Sequence, residues 1–369
     1  MTLAIDLTSL SDNFSGLERM ALELSKALIL QAGEEESFVL VIKNSLPPML
    51  NNIKNPRVRF VRIKGKNKLL ANQLTLPLTM ARIKADAYIF PAFPVPLLFR
   101  KKNTYGMIAD LGCYDCPQTM KKKQVLFFRE GAKHTARVSR KTLTISDFSA
   151  GRIEEILKLP KEKILMLYCG INLPEADRKK PERVLAVKEK YGLPRKYLLS
   201  LSTLEPRKNL KLLIDAYLEV IKEDAEIPLP PLVLAGRPGW LMEEEIRKAS
   251  EDGHILFPGF IDDEDLPALY AGAECFIFPS LYEGFGMPPL EAQAAGVQRI
   301  LSSDTEALRE VLGDTAGFFS NNDKASLKQA LRELSSLPVP EAGSVAANLE
   351  RFSWKAAAEK LRAELRDGK

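Results

Sequence analysis

The sequence predicts an α/β protein made of two doubly wound parallel sheets. Short β-rich runs alternate with amphipathic helical segments almost throughout the chain. Many of the runs are near-continuously apolar, the pattern of parallel strands covered on both faces. At 369 residues the chain exceeds one ordinary core and suits two domains.

The first strands are expected at Leu3–Leu7, Phe38–Ile42, Val58–Ile63, Ala87–Phe90, Thr104–Ile108 and Thr142–Ile145. A second series is expected at Ile164–Cys169, Tyr197–Leu201, Pro231–Ala235, Ile255–Phe257, Cys275–Phe278 and Arg299–Ser302. Helical periodicity occupies Leu17–Leu30, Leu210–Ile221, Leu266–Ala271 and Ser326–Leu334. The first domain is expected to span residues 1–172, ending near Gly170-Ile171-Asn172-Leu173-Pro174, with the charged stretch Asp177–Glu182 just beyond. The hinge is placed at residues 172–195 and the second domain at 173–350. In the last segment, 351–369, Ser353 precedes a run of strong helix formers and reads as an N-cap. Open parallel sheets bind ligands beyond the carboxyl ends of their strands, so the loops after the strands matter most.

Composition narrows the function classes. With 46% hydrophobic and 27% charged residues, the chain reads as a soluble globular protein. Asp6 interrupts the only apolar run near the start, which argues against a signal peptide. No apolar stretch reaches the roughly 20 residues of a membrane span, and Ala87–Phe99 carries Pro91, Pro94 and Pro96. A cytoplasmic location follows as the expectation. Four cysteines in a chain this long do not suggest a disulfide framework. Cys113-Tyr114-Asp115-Cys116 lacks zinc partners, and neither His134 nor His254 has a second ligand at metal-binding spacing, so no metal site is expected. Net charge is asymmetric. Residues 1–175 hold 27 Lys+Arg against 16 Asp+Glu, and the remainder 26 against 32. The basic front half is expected to meet a large anionic partner or surface.

Four loops could carry chemistry. Ser15-Gly16-Leu17-Glu18-Arg19 places Gly16 before a helix, where the backbone can approach an anion or a sugar; alone it reads equally as a turn and helix start. Asp110, after Thr104–Ile108, could orient or deprotonate a hydroxyl, or could simply cap a loop. Arg207 and Lys208, in Thr203-Leu204-Glu205-Pro206-Arg207-Lys208-Asn209-Leu210, put two cations at a helix mouth, where a departing diphosphate would need them; a surface-charge reading competes. Tyr282-Glu283-Gly284-Phe285-Gly286-Met287-Pro288-Pro289-Leu290-Glu291 follows the strand at Cys275–Phe278 and carries two glutamates around a glycine-rich turn. Unpaired amides at such a strand–turn–helix junction suit a phosphate, and flanking carboxylates suit hydroxyls, so the stretch reads as a seat for a sugar phosphate ester. Pro288 and Pro289 fit a first helical turn.

Together these segments resemble a family 4 retaining glycosyltransferase of the GT-B fold, two Rossmann-like doubly wound domains facing across a cleft. The strongest match is the Glu-x7-Glu signature from Glu283 to Glu291, then Leu204–Leu210. Ser146-Asp147-Phe148-Ser149, Gly259-Phe260-Ile261-Asp262-Asp263-Glu264-Asp265-Leu266 and Phe352-Ser353-Trp354 support it. The resemblance implies that the first domain binds acceptor, that the second binds nucleotide sugar, and that the last helix returns to the first domain. It implies that Glu283 holds sugar hydroxyls with the amides of Gly284, Phe285 and Gly286, and that Glu291 accepts from ribose hydroxyls. Arg207 and Lys208 would bind the diphosphate in place of a metal, with no other cofactor. Phe260 and Ile261 would border the base, Gly16 would approach phosphate or acceptor, and Asp110 would orient the acceptor hydroxyl. Two departures stand out: Ala109-Asp110 where many relatives have His-Asp, and Ser202-Thr203 where many have Gly-Thr.

The motif variant looks most like bacterial mannosyl- and rhamnosyltransferases of surface polysaccharide and lipopolysaccharide assembly, implying a glycan or lipid-linked oligosaccharide acceptor. A nucleotide-sugar epimerase of the same fold and a catalytically silent nucleotide-sugar-binding subunit are the alternatives. Lys121–Lys141, with Val125-Leu126-Phe127-Phe128 inside it, resembles a basic amphipathic helix suited to the anionic inner face of the cytoplasmic membrane, or else a solvated helix with its apolar side inward. No nucleic-acid-binding motif accompanies the charge.

Overall fold

The computed structural model describes residues 1–10, 16–51, 53–65, 71–171, 180–224, 226, 229–239, 246, 247, 249 and 251–367. The chain divides into two compact units. One comprises Met1–Pro117, Lys121–Gly170 and Phe352–Lys369; the other comprises Gln118–Met120 and Ile171–Arg351.

The first unit is built on β1 (Thr2–Asp6), β2 (Ser37–Lys43), β3 (Val58–Ile63), β4 (Ala87–Phe90), β5 (Thr104–Met107), β6 (Lys141–Thr144) and β7 (Ile164–Met166). They form one sheet in the order β3-β2-β1-β4-β5-β6-β7, with every pairing parallel. The second sheet holds β8 (Leu198–Leu201), β9 (Leu232–Ala235), β10 (Ile255–Gly259), β11 (Cys275–Phe278), β12 (Ile300–Asp304) and β13 (Gly317–Ser320). Its order is β10-β9-β8-β11-β12-β13, again parallel throughout. In each sheet the chain works outward in one direction, returns to the centre and works outward the other way. That reversal leaves a crevice beyond the carboxyl ends of the two central strands.

Two expectations change. The strand at Ile164 closes the first sheet through Thr142–Ile164 pairing instead of opening the second. Strand β13 escapes sequence reading because Gly317-Phe318-Phe319-Ser320 is four residues long and opens on glycine. The proposed hinge at 172–195 falls partly outside the described residues; from Pro181 to Lys190 it is a helix packed against Leu266–Ala271 of the second unit.

Helical spacing builds the cores. In the helix Leu210–Glu223, Leu213, Ile214, Tyr217 and Val220 recur at three- and four-residue intervals and are fully or almost fully buried. They meet Leu198, Leu232, Leu234 and Ile277 of the sheet and Leu327 and Leu331 of a neighbouring helix. Each such burial is worth about 1.5–3 kcal/mol.

The helix Trp354–Asp367 packs on Gly16–Leu30, within the first unit. Ser353 Oγ accepts from Ala356 N at its start. Gly170 is required here, since a Cβ on it would lie 2.2 Å from Trp354 N. Further along, buried Arg362 meets buried Glu36 at 2.6 Å and donates to the Gln31 carbonyl. Removing one partner of a buried pair leaves the other charge uncompensated. Arg362→Ala is therefore expected to lower stability by about 3–5 kcal/mol in urea unfolding, whereas Glu36→Leu/Arg362→Met loses much less. A loss near zero for Arg362→Ala would contradict the pair's burial.

Candidate functional site

In the second sheet the reversal lies between β8 and β11, which are hydrogen-bonded neighbours. The loops leaving their carboxyl ends, residues 202–209 and 279–286, therefore emerge side by side. One backbone and one side-chain bond hold them together: Leu281 N donates to the Arg207 carbonyl at 2.9 Å, and Arg207 Nη1 donates to the Tyr282 carbonyl at 3.0 Å.

Glu283 is the centre of this junction. Its Oε1 accepts from Lys208 Nζ at 2.5 Å and its Oε2 from Arg207 Nη1 at 2.9 Å. Arg207 is gripped on its other side by Glu205 Oε1, at 3.2 Å from Nε and 3.0 Å from Nη2. Lys208 Nζ also lies 5.0 Å from the Phe278 ring centroid. Glu205, Lys208 and Glu283 are all buried. Burial alone would raise the Glu283 carboxyl, but the charges of Arg207 and Lys208 overcome it and hold the group at about 2. Burial pulls the Lys208 ammonium down, and Glu283 opposes that pull. Two carboxylates and two cations make a locally neutral cluster. An ammonium has three donors and Glu283 takes one of them, so Lys208 can also bind an incoming anion.

The turn after Glu283 depends on Gly286, whose φ is +111°, a region other residues avoid. A Cβ there would also lie 2.6 Å from Leu308 Cδ2. Gly286 caps the helix Met287–Ala295, and Pro288 and Pro289 sit in its first turn. The prolines change the anticipated chemistry. Neither has an N–H, so the helix mouth loses two of the amides a phosphate seat would use. Positive charge at this junction comes mainly from Arg207 and Lys208.

Glu291 lies one turn into that helix, and its Oε2 accepts from the buried Tyr270 hydroxyl at 3.0 Å. Phe260 and Ile261 directly follow β10. Ile261 is buried; Phe260 is 45% exposed with the Arg237 guanidinium 4.0 Å above its ring. The loop carrying them is anchored by Asp265, buried among Arg183 at 2.5 Å, Lys190 at 2.6 Å and the Tyr191 hydroxyl at 2.9 Å. Sequence reading assigned no role to Glu205, Tyr270, Arg237 or Asp265. Glu205 stands two residues before Arg207 and could have been paired with it; the others meet their partners only through the fold.

Two candidates lie in the first unit. Gly16 is the exposed first residue of the helix Gly16–Leu30, while Ser15 before it lies outside the described residues. Asp110 Oδ1 accepts from Gly112 N at 2.9 Å, a local turn bond just ahead of the short helix Gly112–Asp115, whose N-cap is Leu111. Cys113 and Cys116 are buried, and burial pushes the Cys113 thiol up to about 12. Among the described residues, no cluster of His, Cys, Asp and Glu could hold a metal ion.

The depressed Glu283 value has a consequence for stability. Its carboxyl binds a proton less readily in the native state than at its ordinary 4.5, so its stabilisation is complete above that pH. It is lost as pH falls through about 2. In urea unfolding, Glu283→Gln is expected to be destabilised most above pH 4.5, by on the order of 3 kcal/mol, with the gap narrowing towards pH 2. A gap independent of pH would contradict the ion-pair geometry.

Comparison with known proteins adds what geometry alone does not supply. The model of the family described as glycosyl transferases group 1 matches residues 185–357. The O-antigen chain mannosyltransferase B of Escherichia coli is 31% identical over 278 residues, covering 73% of this chain and 71% of that protein. The serotype-specific mannosyltransferase WbdA of Escherichia coli is 38% identical over 195 residues, covering 51% of this chain but only 24% of that protein. HepE of Anabaena, solved with UDP and glucose, superposes with a TM-score of 0.72 at 14% identity over the full length of both chains. WaaG, a glycosyltransferase involved in lipopolysaccharide biosynthesis, superposes with a TM-score of 0.65 at 17% identity, covering 99% of this chain and 95% of that one. The two parallel sheets are those of the GT-B fold, and the chain belongs to the group 1, or family 4, glycosyl transferases.

Proposed function

We propose that this glycosyltransferase moves a hexosyl unit from a nucleoside diphosphate sugar to a glycan or lipid-linked acceptor in surface polysaccharide assembly, retaining anomeric configuration and needing no metal. The observation that carries the reading is the Glu283 carboxylate bonded to both Arg207 and Lys208 at the carboxyl edge of β8 and β11. Mannose is favoured over rhamnose because the two relatives given above are mannosyltransferases. The cation pair would receive the charge that builds on the departing diphosphate, the work a divalent ion does elsewhere. Glu283 would accept from hydroxyls of the transferred sugar, since each carboxylate oxygen keeps a lone pair beyond the one its cation uses. Glu291 would take the ribose hydroxyls, and Phe260 and Ile261 would face the base. In the first unit, Asp110 would orient the acceptor hydroxyl through the oxygen not engaged with Gly112 N, and Gly16 would approach the phosphate or the acceptor. Among the described residues no helix is long and apolar enough to cross a membrane. For a lipid-linked acceptor we propose peripheral contact with the inner face of the cytoplasmic membrane.

Thermal-shift titration with GDP, UDP and dTDP tests the donor reading; stabilisation by GDP is expected, and no response to any of them at millimolar concentration would contradict it. Release of nucleotide from the donor sugar should survive EDTA and fall by about 10²–10³-fold in Glu283→Ala or Lys208→Ala. Activity abolished by the chelator would remove metal independence. Unchanged release in both variants would remove the assigned roles.

A further inference from the structure

In the second sheet the strands run β10-β9-β8-β11, and the loops at their carboxyl ends line up in the same order. Phe260 and Ile261 follow β10, and Arg207 and Lys208 lie in the loop after β8. The loop after β9, Gly236-Arg237-Pro238-Gly239, stands between them. Neighbouring strands lie about 4.8 Å apart, so β10 and β8 are separated by about 10 Å. A nucleotide laid from Phe260 to the Arg207–Lys208 pair would cross the β9 loop on the way.

That loop is pinned on both sides. Leu204 N donates to the Arg237 carbonyl at 2.9 Å and Gly239 N to the Leu204 carbonyl at 3.1 Å, which carries the β8–β9 pairing past the strand ends. On the other side Gly236 N donates to the Gly259 carbonyl at 2.9 Å, one residue before Phe260. Both glycines are needed for so close an approach. A Cβ at Gly236 would lie 1.8 Å from the Ser202 carbonyl oxygen, and one at Gly239 would lie 2.4 Å from that of Leu204. The Arg237 backbone is therefore fixed between the two loops. Its side chain is half-buried and stacks on Phe260, with Cζ 4.0 Å from the ring centroid, while Phe260 itself is 45% exposed. Such stacking orients a guanidinium through its face, and its five N–H donors all lie in the plane, where stacking engages none of them.

A planar fork of donors discriminates between bases. Guanine presents two adjacent acceptors, O6 and N7, which one guanidinium can satisfy together. Adenine keeps N7 but sets an amino donor beside it, and a pyrimidine such as thymine offers one keto oxygen on that edge. We propose that Arg237, oriented by Phe260, is a specificity-determining residue that selects a guanine nucleotide by donating to O6 and N7. The proposal rests on the donor reading above and names the base and the side chain that reads it.

Calorimetric titration of the full chain with GDP, IDP, 7-deaza-GDP and UDP tests it. All four share ribose and diphosphate; IDP keeps O6 and N7, and 7-deaza-GDP lacks N7. GDP and IDP are expected to bind about tenfold more tightly than 7-deaza-GDP and UDP. In Arg237→Gln, GDP is expected to weaken about tenfold while UDP binding, which also reports that the variant is folded, is unchanged. Phe260→Leu is expected to narrow the preference for GDP over UDP, and a preference left whole there would overturn the orienting role of the ring. Equal losses of GDP and UDP in Arg237→Gln would put Arg237 on the phosphates or in the fold and overturn base reading. A wild type that binds IDP as weakly as UDP reads the guanine amino group instead, which also overturns it. GDP binding no tighter than UDP overturns this inference and leaves the donor reading standing. No binding of any of the four at millimolar concentration overturns both.

Discussion

A buried carboxylate cannot stay ionised without partners, and in this chain Glu283 keeps its charge because Arg207 and Lys208 each give it a hydrogen bond. The dependence is mutual. Lys208 is itself buried and would shed its proton more readily without the carboxylate. Arg207 is held between Glu283 and Glu205, so its guanidinium has one orientation rather than many. The loops after β8 and β11 are therefore joined by charge as well as by backbone bonds. An electrically neutral junction of this type would, on the proposed reading, be preorganised for a substrate that brings both hydroxyls and negative charge.

The junction can exist because of strand order. β8 and β11 are neighbours in the sheet, although some seventy residues separate them in sequence. The first sheet repeats the plan with β1 and β4. What differs is the equipment of the loops. Glycine at 286 allows the turn after Glu283, and two prolines then remove amides from the helix mouth. On the proposed reading the second unit would rely on side-chain cations where many phosphate sites rely on backbone. Arg and Lys deliver a full charge to a leaving diphosphate, whereas a helix terminus offers about half of one.

Much of this was legible in the sequence. Glu283, Arg207 and Lys208 each stand in a short, strongly marked segment directly after an apolar strand, and twelve strands announced themselves by their apolar runs. The partners were not legible. Tyr270 reaches Glu291 from a separate helix, and Arg237 reaches Phe260 from the loop after another strand. Such pairings depend on sheet order, which periodicity does not encode. Asp110 shows the opposite limit. Its type and position fit a hydroxyl-orienting role, yet one oxygen holds the local turn to Gly112, a duty that composition could not separate from catalysis. In the basic helix, the contact of Phe128 with Phe93 likewise depends on the fold and not on the helix's own sequence.

The central claim is that Glu283, Arg207 and Lys208 form the seat of the donor. A crystal structure of the chain with a bound nucleoside diphosphate hexose tests it most directly. The account predicts the diphosphate within hydrogen-bond reach of Arg207 and Lys208, and the hexose hydroxyls on Glu283. A nucleotide sugar bound elsewhere, with the Glu283 cluster unchanged and uncontacted, would contradict it.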